Sequence, residues 1–139
     1  MDLNKLTQKA QEAILAAQTL AREHNHQTIE PVHLLLALLN QSDSLVPVMV
    51  TQLAGSTEVL RQELVREIGD RPRIYGAGTG EVKLSPPAVQ TLEAAERYAR
   101  GMGDEFTSTE HILLGLSDST EGKRMTNYGL TKDAILKAL

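Results

Sequence analysis

The chain has 139 residues, 41% hydrophobic and 23% charged, with a formal net charge of −4 and no cysteine. That length suits one compact domain with a buried core; the acidic balance argues against nucleic acid, whose affinity rests on cation–phosphate contacts, and the missing cysteines exclude disulfides and thiol nucleophiles and fit a reducing compartment. Aromatic residues make up only 3%, so the core must be aliphatic, which favours close helix packing over a β-sandwich.

The N-terminus carries no charged-then-apolar leader, and no apolar run approaches 18 residues, so no membrane association and a cytoplasmic location are the expectation. Leu6, Ala10, Ala13, Ile14, Ala17, Leu20 and Ala21 step by three and four and predict an amphipathic first helix, capped by Thr7 and fading at His24-Asn25-His26-Gln27. Pro31, suited to a first helical turn, opens a second helix through the apolar block 32–39. A third spans 46–53 and stops at Gly55, a left-handed cap candidate. Ser56 or Thr57 caps a fourth, with the stripe Val59, Leu60, Leu64, Ile68 and an end at Gly69.

Residues 70–83 read as a linker, with Asp70-Arg71-Pro72-Arg73 followed by Gly76-Ala77-Gly78-Thr79-Gly80. Ser85-Pro86 then starts a fifth helix with the stripe Ala88, Leu92, Ala95, Ala99, Met102. Thr107-Ser108-Thr109-Glu110 has capping-box spacing ahead of a sixth helix over 109–116. Residues 122–128 are short and polar where their counterpart 46–53 is apolar, and leave a seventh helix open. Thr131 caps a last helix through Ile135, Leu136 and Leu139. Strand signals are confined to the isolated run 81–84.

These elements repeat. Moving residues 84–116 back by 78 lays them on residues 6–38 without a gap, with 10 identities in 33 positions, His111 over His33 and Leu113 over Leu35 among them. Two copies are too few for a solenoid. The reading is an all-α fold of about eight helices, two four-helix halves related by a pseudo-two-fold axis. Residues 1–139 form one domain, with a first repeat at 6–69, a linker at 70–83 and a second repeat at 84–139.

No active site is legible. The glycine run 76–80 follows a helix rather than a buried strand, Gly122-Lys123 lacks the rest of a phosphate-binding loop, and no nucleophile elbow occurs. His24 and His26 sit two apart at a helix end, which points them away from each other. His33 and His111 are repeat-equivalent, and a site shared across the axis is weighed against structural imidazoles at two helix N-termini; the structural reading is favoured. No catalytic, cofactor or metal residue is assigned. What remains is surface: a groove where two helical halves meet suits an extended or helical segment of another protein.

Leu6-Thr7-Gln8-Lys9-Ala10, Ile29-Glu30-Pro31-Val32-His33-Leu34-Leu35-Leu36-Ala37-Leu38-Leu39, Val82-Lys83-Leu84-Ser85-Pro86 and Thr109-Glu110-His111-Ile112-Leu113-Leu114-Gly115-Leu116 resemble the two Clp repeats of the Clp chaperone N-terminal domain. The Ile29-Glu30-Pro31 form and the linker place the resemblance nearest ClpB-type AAA+ disaggregases; it covers residues 3–139 and departs from the family over 117–128. It implies a domain tethered to a homohexameric ATPase that uses ATP and Mg, works with a DnaK-type chaperone system, and engages unfolded or aggregated polypeptide before threading. The isolated domain is expected to be a monomer without cofactor. By position, Thr7, Asp104 and Glu110 match polar residues of the client-binding face, and Leu92, Ile112 and Leu113 are offered as its apolar groove, with capping and core packing as the competing accounts. The alternative is the N-domain of a ClpA/ClpC-type unfoldase, or a stand-alone Clp-repeat protein, that docks an adaptor.

Overall fold

A computed structural model describes residues 2–75 and 81–139. After a 3-10 turn at Leu3–Lys5 come α1 (Gln8–Glu23), β1 (Thr28–Ile29), α2 (Pro31–Leu39), α3 (Leu45–Ala54), α4 (Glu58–Asp70), β2 (Lys83–Leu84), α5 (Pro86–Gly101), α6 (Thr109–Ser117), α7 (Gly122–Asn127) and α8 (Lys132–Ala138). The all-α, four-plus-four reading holds, and the 78-residue offset carries α1 onto α5 and α2 onto α6 with identical bounds. The glycine run 76–80 lies outside the described residues.

Local chemistry sets these helices in matched pairs. Thr7 Oγ1 accepts the Ala10 N–H and Ser85 Oγ accepts the Ala88 N–H, each at 3.2 Å, so both outer helices start on a hydroxyl cap. The inner face of α1 is Ala10, Ala13, Ala17 and Ala21, all buried, and these small side chains let its backbone approach α2 closely. All nine residues of α2 are buried, as are residues 109 and 111–116 of α6. A helix apolar on every side belongs at the centre, and α2 and α6 pack there against each other, with α1 and α5 laid outside them. Leu35 and Leu113 are both fully buried at equivalent points.

The halves are joined reciprocally. β2, which leads the second half, pairs in parallel with β1 of the first, matching Thr28 to Lys83 and Ile29 to Leu84. Leu6, which leads the first half, bridges in parallel to Thr107 of the second. The two contacts are related by the same 78-residue offset, and the Thr107 N–H to Lys5 carbonyl (2.7 Å) and Ser85 N–H to Ile29 carbonyl (3.0 Å) bonds anchor them. Each half therefore supplies the strand partner of the other.

Several sequence expectations need correcting. Strand structure is not confined to 81–84, because Thr28–Ile29 pairs with it. Val59, Met102, Leu136 and Leu139 are exposed, not core; the buried line of α4 is Leu60, Leu64 and Ile68, and Ile135 alone anchors α8. Helix α4 runs one residue past Gly69, to Asp70. The Ser56 hydroxyl, rather than that of Thr57, accepts the Glu58 N–H. The capping box of α6 closes on Ser108 and His111, not on Glu110. Helix α7 does form, over a single turn and a half, with Met125 as its buried residue.

Candidate functional site

The predicted polar residues gather about the bridge between the halves. Thr7 is half-buried at the cap of α1, and its N–H donates to the Thr107 carbonyl at 2.9 Å. Asp104 is largely exposed and accepts a hydrogen bond from His111 Nε2 at 2.9 Å. Glu110 is half-buried in the first turn of α6, where its carboxylate accepts from the Thr109 hydroxyl at 3.4 Å. Leu92, Ile112 and Leu113 do not join them. All three are packed in the hydrophobic core, at most 1% exposed, on two helices that pack against each other and against α2. In this conformation they offer no surface to a client.

An apolar groove lies elsewhere. One wall is α1, where Ile14 and Leu15 sit between Gln11 and Gln18; the other is the segment 81–84 together with Leu3. The cavity is about 330 Å³ and open to solvent, with Val82 and Leu84 facing the α1 residues. The two glutamines close its ends. Gln11 Nε2 donates to the Leu3 and Leu6 carbonyls (3.0 and 3.2 Å), and Gln18 Nε2 to the Val82 carbonyl at 3.0 Å. Between them the surface is mainly apolar, with Glu81 and Lys83 adding charge on the second wall, and Leu15 is 63% exposed on the first. Gln11 follows Thr7 by one turn of α1, so the groove starts beside the polar cluster. Sequence reasoning missed Leu3, Leu15, Val82 and Leu84. One signal was available: the counterpart of Leu15 in the second half is Glu93, so the repeat breaks at an outward position where a leucine has no packing reason to be.

The histidines divide by half rather than meeting across the axis. His33 Nε2 lies 2.9 Å from His26 Nδ1, whereas His111 Nε2 lies 2.9 Å from Asp104. Position 104 is the repeat equivalent of position 26. His24 and His26 also stack, ring centroids 5.8 Å apart, contrary to the expectation that they point apart. Asn25 between them has φ +56°, so the helical period does not apply there. Among the described residues, no group of three metal-ligating side chains gathers in binding geometry, and no helix is long and apolar enough to cross a membrane.

A charged knot holds α7 to the first half. Arg124 reaches Glu121 and Glu63 at 2.9 Å each and also pairs with Glu67, while the Tyr128 hydroxyl donates to Glu63 at 3.0 Å. Burial holds the Glu121 carboxyl above the usual carboxylate range, against the opposing pull of Arg124.

Comparison with known proteins gives this fold a family. The sequence pattern of the Clp repeat (R) N-terminal domain matches residues 5–127. A chaperone protein ClpB of Bacillus cereus is 36% identical over 143 residues, an alignment that takes in 100% of this chain and 16% of that protein. The chain thus spans about one-sixth of the length of the curated relatives it matches. Among solved structures, the Hsp104 N-terminal domain of Candida albicans superposes with a TM-score of 0.77 at 21% identity, covering 96% of this chain and 87% of that one. A ClpV N-domain solved in complex with a VipB peptide gives 0.73 at 20% identity, covering 94% and 82%. With helix bounds that repeat at the 78-residue offset, the matched pattern and a likeness to ClpB that runs over this whole chain, the chain belongs to the Clp repeat N-terminal domain family.

Proposed function

We propose that this domain is the substrate-engaging module of a ClpB-type AAA+ disaggregase, binding apolar stretches of unfolded or aggregated polypeptide before an ATP- and Mg-dependent homohexamer threads them. The carrying observation is the groove between α1 and the segment 81–84, where Leu15 stands exposed above Ile14, Val82 and Leu84. Its walls are mainly apolar side chains, which discriminate weakly between sequences, and this suits clients of many sequences. A mobile chain loses conformational entropy on docking, so a single site should be weak, with Kd of roughly tens of micromolar. Six copies on one ring would raise the effective affinity by multivalency. In this reading Thr7, Asp104 and Glu110, which lie outside the groove's own lining, supply a polar rim whose two carboxylates favour segments with a few basic residues. Cooperation with a DnaK-type system belongs to the same reading.

A second reading, adaptor docking by a ClpA/ClpC-type or stand-alone protein, draws on one observation: a ClpV N-domain of this fold holds a VipB peptide. An NMR titration with a permanently unfolded protein and with its folded parent separates the two. Client binding should shift Leu15, Val82, Leu84, Thr7 and Asp104 for the unfolded form only, and Leu15→Glu, which installs the residue of the second half, should weaken binding at least fivefold. Equal shifts with folded protein, or none at high client concentration, would leave adaptor docking.

A further inference from the structure

The two equivalent histidines differ in what a proton would do to them. His33 Nδ1 accepts the Glu30 N–H at 2.8 Å, at the start of α2, so its own proton sits on Nε2 and is donated to His26 Nδ1. The proton of His26 then sits on Nε2, which is buried near the Arg71 backbone and closes no hydrogen bond among the described residues. Both acceptor nitrogens of the pair are therefore in use. A proton added to His26 Nδ1 would face the His33 N–H, and one added to His33 Nδ1 would face the Glu30 N–H. Neither ring can charge without breaking a bond that shapes the helix entry.

The surroundings sharpen the conflict. The rings line a cavity of about 240 Å³ closed by Arg71, Pro72 and Ile74 of the segment that follows α4. Facing the pair are His24, stacked on His26 from the end of α1, then Arg71 and Arg73 from that segment, and Glu30 from the cap of α2. Glu67 of α4 is already bound to Arg71 at 2.9 Å. Against these cations Glu30 is the one facing carboxylate without an arginine partner among the described residues, and it accepts the Thr28 hydroxyl at 2.6 Å. Beyond the Arg71 N–H, which still bonds the Ile68 carbonyl at the end of α4 (3.4 Å), the closing segment is tied to the first half by the Ile74 N–H to Asn25 carbonyl bond at 3.0 Å.

The second half is built the other way. His111 Nε2 meets the Asp104 carboxylate, and Nδ1 has the Ser108 hydroxyl at 2.8 Å, an oxygen able to accept a proton, as well as the Ser108 N–H at 2.9 Å. A proton added at Nδ1 would displace the Ser108 N–H there as well, but unlike in the first half the Ser108 hydroxyl can accept it, and the Asp104 carboxylate faces the other side of the ring.

We propose that the His26–His33 pair is an acid-operated latch: uptake of one proton breaks the inter-ring hydrogen bond and releases the segment 71–75 from the first half, while the second half stays closed.

Burial first, then the charges of His26 and Arg71, hold His33 at about 4, below the ordinary imidazole value of 6.5. The closed latch thus binds fewer protons than the open one; its stability is full above 6.5 and is lost as pH falls toward 4. For one proton, this raises the opening equilibrium about 20-fold between pH 7 and pH 5. Amide hydrogen exchange by NMR on the full chain, corrected for intrinsic exchange, reads this at Ile74, with the Thr107 amide as the second-half control. Opening at Ile74 should rise about 20-fold while Thr107 stays within twofold. His26→Asp, which transplants the second-half pair, should flatten the Ile74 response; should that variant not fold, Asp104→His should confer acid sensitivity on Thr107. A pH-independent Ile74, a parallel rise at Thr107, or an unchanged acid response in whichever variant folds would overturn the latch.

Discussion

The two halves of the molecule coincide over their first two helices and part company over their last two. From the cap of the outer helix to the end of the inner one, the 78-residue offset reproduces every helix bound. Beyond that, α3 and α4 run 10 and 13 residues while α7 and α8 run 6 and 7. The matched part lies against the axis, where each inner helix is buried by the other half and any change in one must be met by the other. The divergent part lies at the periphery, and there each half uses its own means: an apolar α3 in the first, a guanidinium tied to three carboxylates in the second.

The widest test of that symmetry is Leu35→Ala against Leu113→Ala. Both side chains are fully buried, and each truncation should cost about 2–5 kcal/mol in urea unfolding, from lost burial plus a cavity. Losses that differ by more than twofold between the sites would break the equivalence of the halves.

Smaller, and asymmetric by design, is the crossing of outer on inner helix. In the second half Gly115 lies against Thr91, and the equivalent positions of the first half are Ala37 and Ala13. A Cβ on Gly115 would fall inside contact distance of the Thr91 carbonyl oxygen. Gly115→Ala should therefore destabilise by about 1–3 kcal/mol in thermal unfolding, as overpacking does, whereas Ala37→Gly should cost only about 0.5–1 kcal/mol, the helix-interior penalty of glycine. If Gly115→Ala were neutral or stabilising, the closeness of α5 to α6 would not depend on glycine.

The finest test is at the caps. Thr7→Ala and Ser85→Ala remove hydroxyls with the same 3.2 Å geometry and should each cost about 1 kcal/mol. A larger loss at Thr7, measured by denaturant midpoint, would show that its neighbourhood to Thr107 adds a contribution that Ser85 lacks.

Most of the fold was legible because its signals are local and periodic. The alanine face of α1, the leucine block of α2 and the proline at the start of α5 each act within a turn or two, and the self-similarity multiplied them. What stayed hidden depends on distance in sequence. Helix α7 is polar and short, and it is held by Arg124 reaching Glu63 and Glu67 on α4, some sixty residues away. Two-residue strands carry no alternation to read. Exposure was misjudged where an apolar residue lay beside the buried line rather than on it, as Val59 does next to Leu60. The candidate site was the least legible. Leu92, Ile112 and Leu113 have the composition of a groove but the position of a core, while Leu15, which falls off the buried stripe of α1, stands in solvent.

The reciprocal strand exchange has a consequence for how the chain matures during synthesis. Leu6 emerges early but meets Thr107 only after about one hundred further residues have been made, and β1 waits for residues 83–84. At translation rates of about 5–20 residues per second, Leu6 stays unpartnered for roughly 5–20 seconds. A nascent first half with an unpaired edge is a template for pairing with another chain, and on a polysome the nearest such chain is an identical one.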